Sequence, residues 1–558
     1  MSILPEPKTP WPPPADRARY ERMRSCSAWY GGDPARLASL PGGAVATVSG
    51  GGSVRTTINP GGGVSTATMS GRDVFWGARN NSHEVDTRRH LPVAQDIAAL
   101  NAELLFSEAP FVSVDGPRED VVNDKGQTSQ RATIETRAAQ QRLEKVLDRC
   151  NFHAVLMAGA EIGSALGSTG LRIAIDKTTI PDRPVITRVD ADAIIPRYSW
   201  GQLTGVLFWH VVKVDRDIVY RHIEAHERGE VQHALYKGTG DNIGERIPLA
   251  TLGSTAHLAP EGDPLATEVT ITIDRDGGKT ATSIPNMLPD PLDRHNNVGR
   301  SDYTPSVQGL FDDIDRVYTQ MMESIDDAKS RLLIAESMLE RGKPGSGVAF
   351  NQDQRYFTPV KLPPSDKEPS GLPIEKIQFD MRVAEYLQAL DSLVTKATEY
   401  AGYTADTERD ERGAPMTATE YQGRNQRSMR TRGKKMGYWH AELEDILTTL
   451  LRVDVAEFGP VEFVDGTPVV VKAYPVRVEF PHAVQPTLVE LAETARALRD
   501  AEAASKFTLV KTVHPDWDDT DVQAEVDRML TESSVIDPVT FRGGADDSML
   551  APELDPEP

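Results

Sequence analysis

Two amphipathic stretches on either side of a β-rich insert constrain this chain more than any other feature. From Val307 to Leu339, apolar residues fall at 307, 310, 311, 314, 317, 318, 321, 322, 325, 328, 332 and 333, the spacing of one helix face. At 1.5 Å per residue such a helix is roughly 50 Å long. Its other face carries Asp312, Asp313, Asp315, Glu323, Asp326 and Asp327. Gly342 to Pro373 breaks the period with glycines, prolines and the short strand-like pieces GVAFN and RYFTPVKL. The period resumes at 383, 386, 387, 390, 393, 394, 397, 400 and 401. A helical hairpin this long is not stable alone, so its stripes must be covered by the rest of the chain or by neighbouring subunits.

A third long helix is predicted from Thr417 to about Arg452, after a polar loop at Thr404 to Pro415. Thr417 with Glu420 fits a capping box. Its second half carries a regular stripe (Trp439, Leu443, Ile446, Leu447, Leu450). Its first half is basic and holds Gly423, Gly433 and Gly437, which predicts a kink. Between Tyr421 and Ala441 there is no acid, yet Arg424, Arg427, Arg430, Arg432, Lys434 and Lys435 are present, in a chain of formal net charge -22. An acidic chain excludes tight general nucleic-acid binding, which depends on neutralising phosphates. A basic block placed inside it points to a local polyanion, and acidic surroundings suit a sliding contact. Arg424, Arg427, Arg430 and Lys434 share about 120° of arc on an ideal helix. The competing reading is a solvated face, or one paired with Asp406, Glu408, Asp410 and Glu411 in the loop before it, within or between subunits.

The rest of the chain reads as mixed α+β. Its 558 residues suggest three or four cores. Cys26 and Cys150 make no disulfide framework, which predicts a reducing compartment. The N-terminus lacks a signal-peptide pattern, and Ala154 to Ile175 is interrupted by Glu161 and by glycines, so a soluble intracellular protein with no membrane span is expected. Six of the ten residues from Pro5 to Pro14 are proline, an extended arm or polyproline ligand, here taken as a disordered arm. Pro41 to Gly63 is a Gly-rich loop without the Gly-Lys-Ser/Thr ending of a phosphate loop. Leu91 to Phe106 and Arg137 to Phe152 have helical spacing. Strands follow at Leu171 to Asp176 and in VITRVD, GVLFWHVVKVD, DIVYRHIEAHE and EVQHALYKG, the last two joined by a turn at Arg228-Gly229. Strand signals return at Val461 to Phe480, and two surface helices at Pro486 to Lys506 and Thr520 to Val535. The acidic tail from Ile536 is expected to be disordered.

No catalytic constellation is expected. His222, Glu224, His226 and His233 on the predicted hairpin offer a metal site, but a wet polar hairpin surface is the simpler reading. His226-Glu227 has no second histidine four residues on, as a zinc-protease helix requires. The stretch from His514 lacks the glycine and terminal glutamate of a calcium loop, and caps the last helix instead. GxSxG and Walker motifs are absent. The expectation is therefore a non-enzyme with no cofactor and no metal.

Several segments, in order and at their spacing, resemble one family. They are WPPP, AWYGGDPARL (Ala28 to Leu37), FWGAR, HLPVAQDIAALNAELLFSEAP (His90 to Pro110), DADAIIPRYSWGQLTGVLFW and YRHIEAHERGEVQHALYKGT. QGLFDDIDRVYTQMMESIDDAKSRL and TATEYQGRNQRSMRTRGKKMGYW complete the series. Together they resemble the portal proteins of tailed bacteriophages, particularly phages of actinobacteria with long non-contractile tails.

The resemblance implies a virion protein, assembled in the host cytoplasm into a ring, usually of twelve subunits, at one vertex of the head. Double-stranded DNA is packaged and ejected through the ring's channel. The implied partners are the terminase large subunit, the head-tail adaptor, the major capsid protein and the scaffold. The implied portal fold has an N-terminal arm (1–64), a mixed α/β wing (65–304), a stem helix (305–340) and a clip (341–379). A second stem helix (380–402), a tunnel loop (403–416), a long kinked helix (417–452), further wing strands (453–485), crown helices (486–535) and a tail (536–558) follow. The DNA-facing residues it implies are Arg409, Arg412, Arg424, Arg427, Arg430 and Lys434. Related proteins often carry an aromatic-glycine step shortly after AGY, where this chain has DTERDERG. The alternatives are a metal-dependent hydrolase built on His222, His226 and His233, and a head-completion protein without a channel.

Overall fold

The computed structural model of the chain describes residues 4–40, 54–58, 64–68, 89–122, 128–177, 179–260, 262–294, 297–327, 331–335, 357–360, 374–377, 382–404, 426–481, 488–501, 503–514, 517 and 519–535. They fall into two units, one of residues 1–413 with 423–483, the other of 414–422 with 484–558.

The first unit begins with a short arm and two helices, α1 (Arg17–Gly31) and α2 (Pro34–Ser39), then a strand pair, β1 (Val54–Ile58) and β2 (Val64–Thr68). Next come α3 (Val93–Phe106), β3 (Phe111–Val114), β4 (Arg118–Val122), β5 (Thr128–Ala132), α4 (Ile134–Arg149) and α5 (Phe152–Leu166). Thr133 caps α4 by accepting from the Thr136 amide, and α5 stops at Gly167, whose φ of 101° suits glycine. A Cβ there would lie 2.9 Å from the Ser301 nitrogen, so the chain before the hairpin helices packs directly on this turn.

The strands β6 (Ser168–Ala174), β7 (Val185–Asp190), β8 (Ile194–Ser199), β9 (Gln202–Asp215), β10 (Ile218–Glu227), β11 (Glu230–Gly238), β12 (Glu245–Ile247), β13 (Glu268–Thr272) and β14 (Ala281–Pro285) make two sheets. The larger has the order β12-β11-β10-β9-β8, with β13 also paired to β11; the smaller is β14-β6-β7. They meet where Ala281 joins Ile194, Val206 and Phe208. The β10–β11 hairpin turns at Arg228-Gly229, as the sequence predicts.

The hairpin helices are α6 (Pro305–Asp327) and α7 (Val383–Ala401), packed side by side. Val307, Phe311, Ile314, Met321, Leu390 and Ala397 are buried in one cluster with residues of α1, α3 and α5. The first helix is shorter than expected. It ends at Asp327, and Arg331–Ala335 is a strand, β15, paired in parallel with β16 (Phe357–Val360) and antiparallel with β17 (Ile374–Ile377). Two aspartates at the helix end oppose its dipole, and the contiguous Leu332-Leu333-Ile334 run suits a strand as well as a helix.

The third long helix, α8, runs from Gln426 to Phe458 without a break at Gly433 or Gly437. The predicted start at Thr417, its capping box and Gly423 lie outside the described residues. Trp439, Leu443, Ile446, Leu447, Leu450 and Leu451 enter the main core with α3, α4, α5 and three further strands, β18 (Val461–Val464), β19 (Thr467–Val470) and β20 (Val476–Glu479). β20 pairs with β3.

The proline-rich start is a correction: from Leu4 it is packed, not loose. Trp11 is 2% exposed, and with Leu4 it covers Ile195, Leu207, Ile223, Ala225, Ala234 and Tyr236 on the outer face of the large sheet. Backbone bonds from Lys8 to Gly244, Trp11 to Asp241 and Ile243 to Thr9 complete the strap. Proline removes donors but leaves carbonyls, and Pro5 accepts from the Tyr236 hydroxyl at 2.7 Å.

The second unit contains α9 (Leu488–Asp500), α10 (Lys506–Val513) and α11 (Asp519–Val535), with Val510, Val522 and Val526 as its small core. His514 follows α10 and stacks on Trp517 at 4.0 Å. Among the described residues, no helix is long and apolar enough to cross a membrane.

Candidate nucleic-acid interface

The first four turns of α8 decide what the basic run can do. Ser428, Thr431 and Lys435 are buried, one turn apart, and they extend the apolar stripe of Trp439 and Leu443 backwards along the helix. Arg427, Arg430 and Lys434 are exposed, with Gly433 and Gly437 between and beyond them on the same face. A Cβ at either glycine would meet nothing within 4 Å, so that face is open. Arg427, Arg430 and Lys434 make no ion pair among the described residues. Arg409, Arg412 and Arg424, and the acidic loop Asp406 to Glu411, lie outside the described residues.

The other two cations of the run are structural. Arg432 donates through Nε to the Leu104 carbonyl at 2.6 Å and through Nη2 to the Pro481 carbonyl at 2.7 Å. It thereby satisfies a carbonyl of the last turn of α3, which the helix itself leaves free. Lys435, 1% exposed, donates to Asp302 Oδ2 at 2.6 Å, Tyr403 Oη at 2.7 Å and Asn101 Oδ1 at 2.9 Å. Burial pushes its ammonium below the usual lysine range, and Asp302 opposes that shift. The helical arc that joins Arg424, Arg427, Arg430 and Lys434 leaves Arg432 and Lys435 out, and Lys435 stands four residues before Trp439 on the buried stripe.

The histidines behave otherwise than expected. His222, Glu224 and His226 are buried, at 6%, 5% and 2% exposure, so the hairpin face is not a wet surface. The small sheet covers it. His226 bonds Thr280 Oγ1 at 2.9 Å and Glu224 Oε1 at 2.8 Å, and Glu224 pairs with Arg172. His222 Nδ1 lies 3.2 Å from His210 Nε2, and its ring stacks on His233 with centroids 5.3 Å apart. His222 Nε2 and His233 Nδ1 find no hydrogen-bond partner among the described residues. Burial and neighbouring positive charge push His222 down to about 3. His233 falls to about 4, chiefly through burial. Burial alone would raise Glu224, but the His226 hydrogen bond and the charges of His226 and Arg172 hold it below the carboxylate range. Both nitrogens of His226 are already engaged, so the cluster acts as core packing. Among the described residues, no group of three or more His, Cys, Asp or Glu is placed to hold a metal ion.

A family model described as "Phage portal protein, SPP1 Gp6-like" matches residues 16–538. A comparison with curated proteins finds no match.

Proposed function

The chain belongs to the SPP1 Gp6-like family of phage portal proteins, and from that premise we propose that it forms the ring-shaped DNA channel at one vertex of the phage head. The family match over residues 16–538 carries this reading. On it, about twelve copies close a ring of the kind found in long-tailed actinobacterial phages. The terminase large subunit docks during packaging, the head-tail adaptor docks afterwards, and capsid protein and scaffold surround the ring.

In this arrangement α6 and α7 are the stem, and the β15–β17 sheet belongs to the clip, which therefore takes residues 331–335 from the stem. The two sheets formed by β6 to β14, with α3 to α5 and the strands β18 to β20, are the wing, and α9 to α11 the crown. The role is non-catalytic: the motor consumes the ATP, and this chain supplies a passage and a seat. Arg427, Arg430 and Lys434 face the DNA, and repetition around the ring multiplies three exposed cations into a belt. An acidic remainder keeps the duplex from adhering elsewhere, since phosphate binding scales with the cations that meet it.

The test is the triple substitution Arg427→Glu, Arg430→Glu, Lys434→Glu. Electron microscopy is expected to show intact rings, while DNA packaging or retention fails. Loss of the rings themselves would make these residues subunit contacts and refute the DNA-facing assignment. A clean monomer of the unaltered protein at high concentration would sink the channel reading altogether.

A further inference from the structure

The buried ammonium of Lys435 sits where four parts of the fold converge. Asp302 is three residues before the start of α6 at Pro305, and Tyr403 is two residues after the end of α7 at Ala401. Asn101 belongs to α3, and Lys435 itself to α8. An ammonium has three donors, and here each meets an acceptor: Asp302, Tyr403 and Asn101.

The acceptors are themselves held. Tyr403 Oη lies 2.8 Å from Asp302 Oδ2 and 3.0 Å from Asn101 Oδ1. Asp302 also accepts from Ser164 Oγ at 2.6 Å and Asn286 Nδ2 at 2.9 Å, and Asn101 Nδ2 donates to the Ala160 carbonyl at 2.8 Å. Two more bonds continue along the same stripe of α8. Thr431 Oγ1 donates to the Gly402 carbonyl at 2.7 Å, and the Thr404 amide donates to Ser428 Oγ at 2.8 Å.

We propose that Lys435 is a positioning residue: it pins the bases of both hairpin helices to the long helix, so that the hairpin and the exposed face of Arg427, Arg430 and Lys434 move as one body. The physical reason is the cost of the alternative. Sliding either helix base away from α8 strands a charge in a dry site, which is far less favourable than leaving an apolar contact. Ser428 and Thr431 occupy the same turns as Arg427 and Arg430, so a shift of the hairpin reaches the cationic face with no slack between. The joint stands on these contacts alone; only its use in carrying a push from the clip end to the channel wall rests on the portal reading.

Hydrogen exchange by mass spectrometry on the full-length protein tests the joint with no DNA or motor present. In Lys435→Met, amides at 402–404, at 426–432 and in the first turn of α6 are expected to exchange about tenfold faster or more, with the β10–β11 hairpin unchanged. Acceleration confined to α8, or none at the two helix bases, would overturn the proposal. So would the same pattern from Leu447→Ala, a core change on the same helix. A double variant, Asp302→Asn with Lys435→Met, is expected to melt higher than Lys435→Met alone, because no unpaired charge remains. Additive losses would refute the charge-based pin.

Discussion

Acid should loosen the large sheet through two histidines, and the size of the effect follows from their burial. His222 and His233 ionise at about 3 and about 4 in the folded chain, against roughly 6.5 when unfolded. A depressed value means that folding favours the neutral ring. The stability it contributes is whole above the unfolded value and drains away as pH falls through it. At pH 5 the unfolded chain has protonated both rings while the folded chain has protonated neither, which costs about 2 kcal/mol per ring and about 4 kcal/mol for the pair. His210, also held low by burial, adds in the same direction. The other titratable and charged groups facing them are Glu224, Arg172, His226 and His257. Glu224 titrates only at lower pH and so does not mask the effect between 7 and 5. The comparison is urea unfolding at pH 7 and pH 5 for the unaltered protein and for His222→Gln with His233→Gln. The unaltered protein is expected to lose about 4 kcal/mol more than the variant over that interval. Equal losses would refute the reasoning.

Three further outcomes are expected. Trp11→Ala should release the N-terminal strap, at about 3 kcal/mol of attachment, and trypsin should then cut after Lys8 far faster; an unchanged rate would contradict the strap. Arg142 holds Asp454, itself 1% exposed, through two bonds of 2.7 Å, so Arg142→Ala should cost about 3–5 kcal/mol in thermal unfolding, and Arg142→Ala with Asp454→Asn distinctly less. Gly229 has a φ of 75°, and a Cβ there would lie 1.9 Å from the Asp274 carbonyl oxygen, so Gly229→Ala should cost at least about 2 kcal/mol, read from the melting temperature.

The second hairpin helix was fully legible, because nine apolar positions from 383 to 401 fit one period and no strand pattern competes. The first was legible only to Asp327. Beyond it, Leu332 to Ile334 satisfies two periods at once, and pairing with β16 and β17 decides between them. Composition gave the proline-rich arm no reason to be ordered; its order comes from Trp11 finding a tertiary slot, which no local pattern encodes. The histidine face alternates correctly along its strand, but alternation cannot say whether water or a second sheet lies opposite. At the basic run, the helical arc already separates Arg427, Arg430 and Lys434, which are exposed, from Arg432 and Lys435, which bond into the interior.

One pairing sets a timetable for the chain's synthesis. Among the described residues, Val114 of β3 has no strand beside it until Val476 of β20 has left the ribosome, about 360 residues later. At the usual pace of translation that wait is roughly 20–70 s. Through it, the apolar faces of α3, α4 and α5 also lack Trp439, Leu443 and Leu450, which complete their core. The nascent chain therefore carries an open edge and an unsealed core for about two thirds of its production. A truncation before residue 476 would leave a sticky fragment, not a smaller working domain.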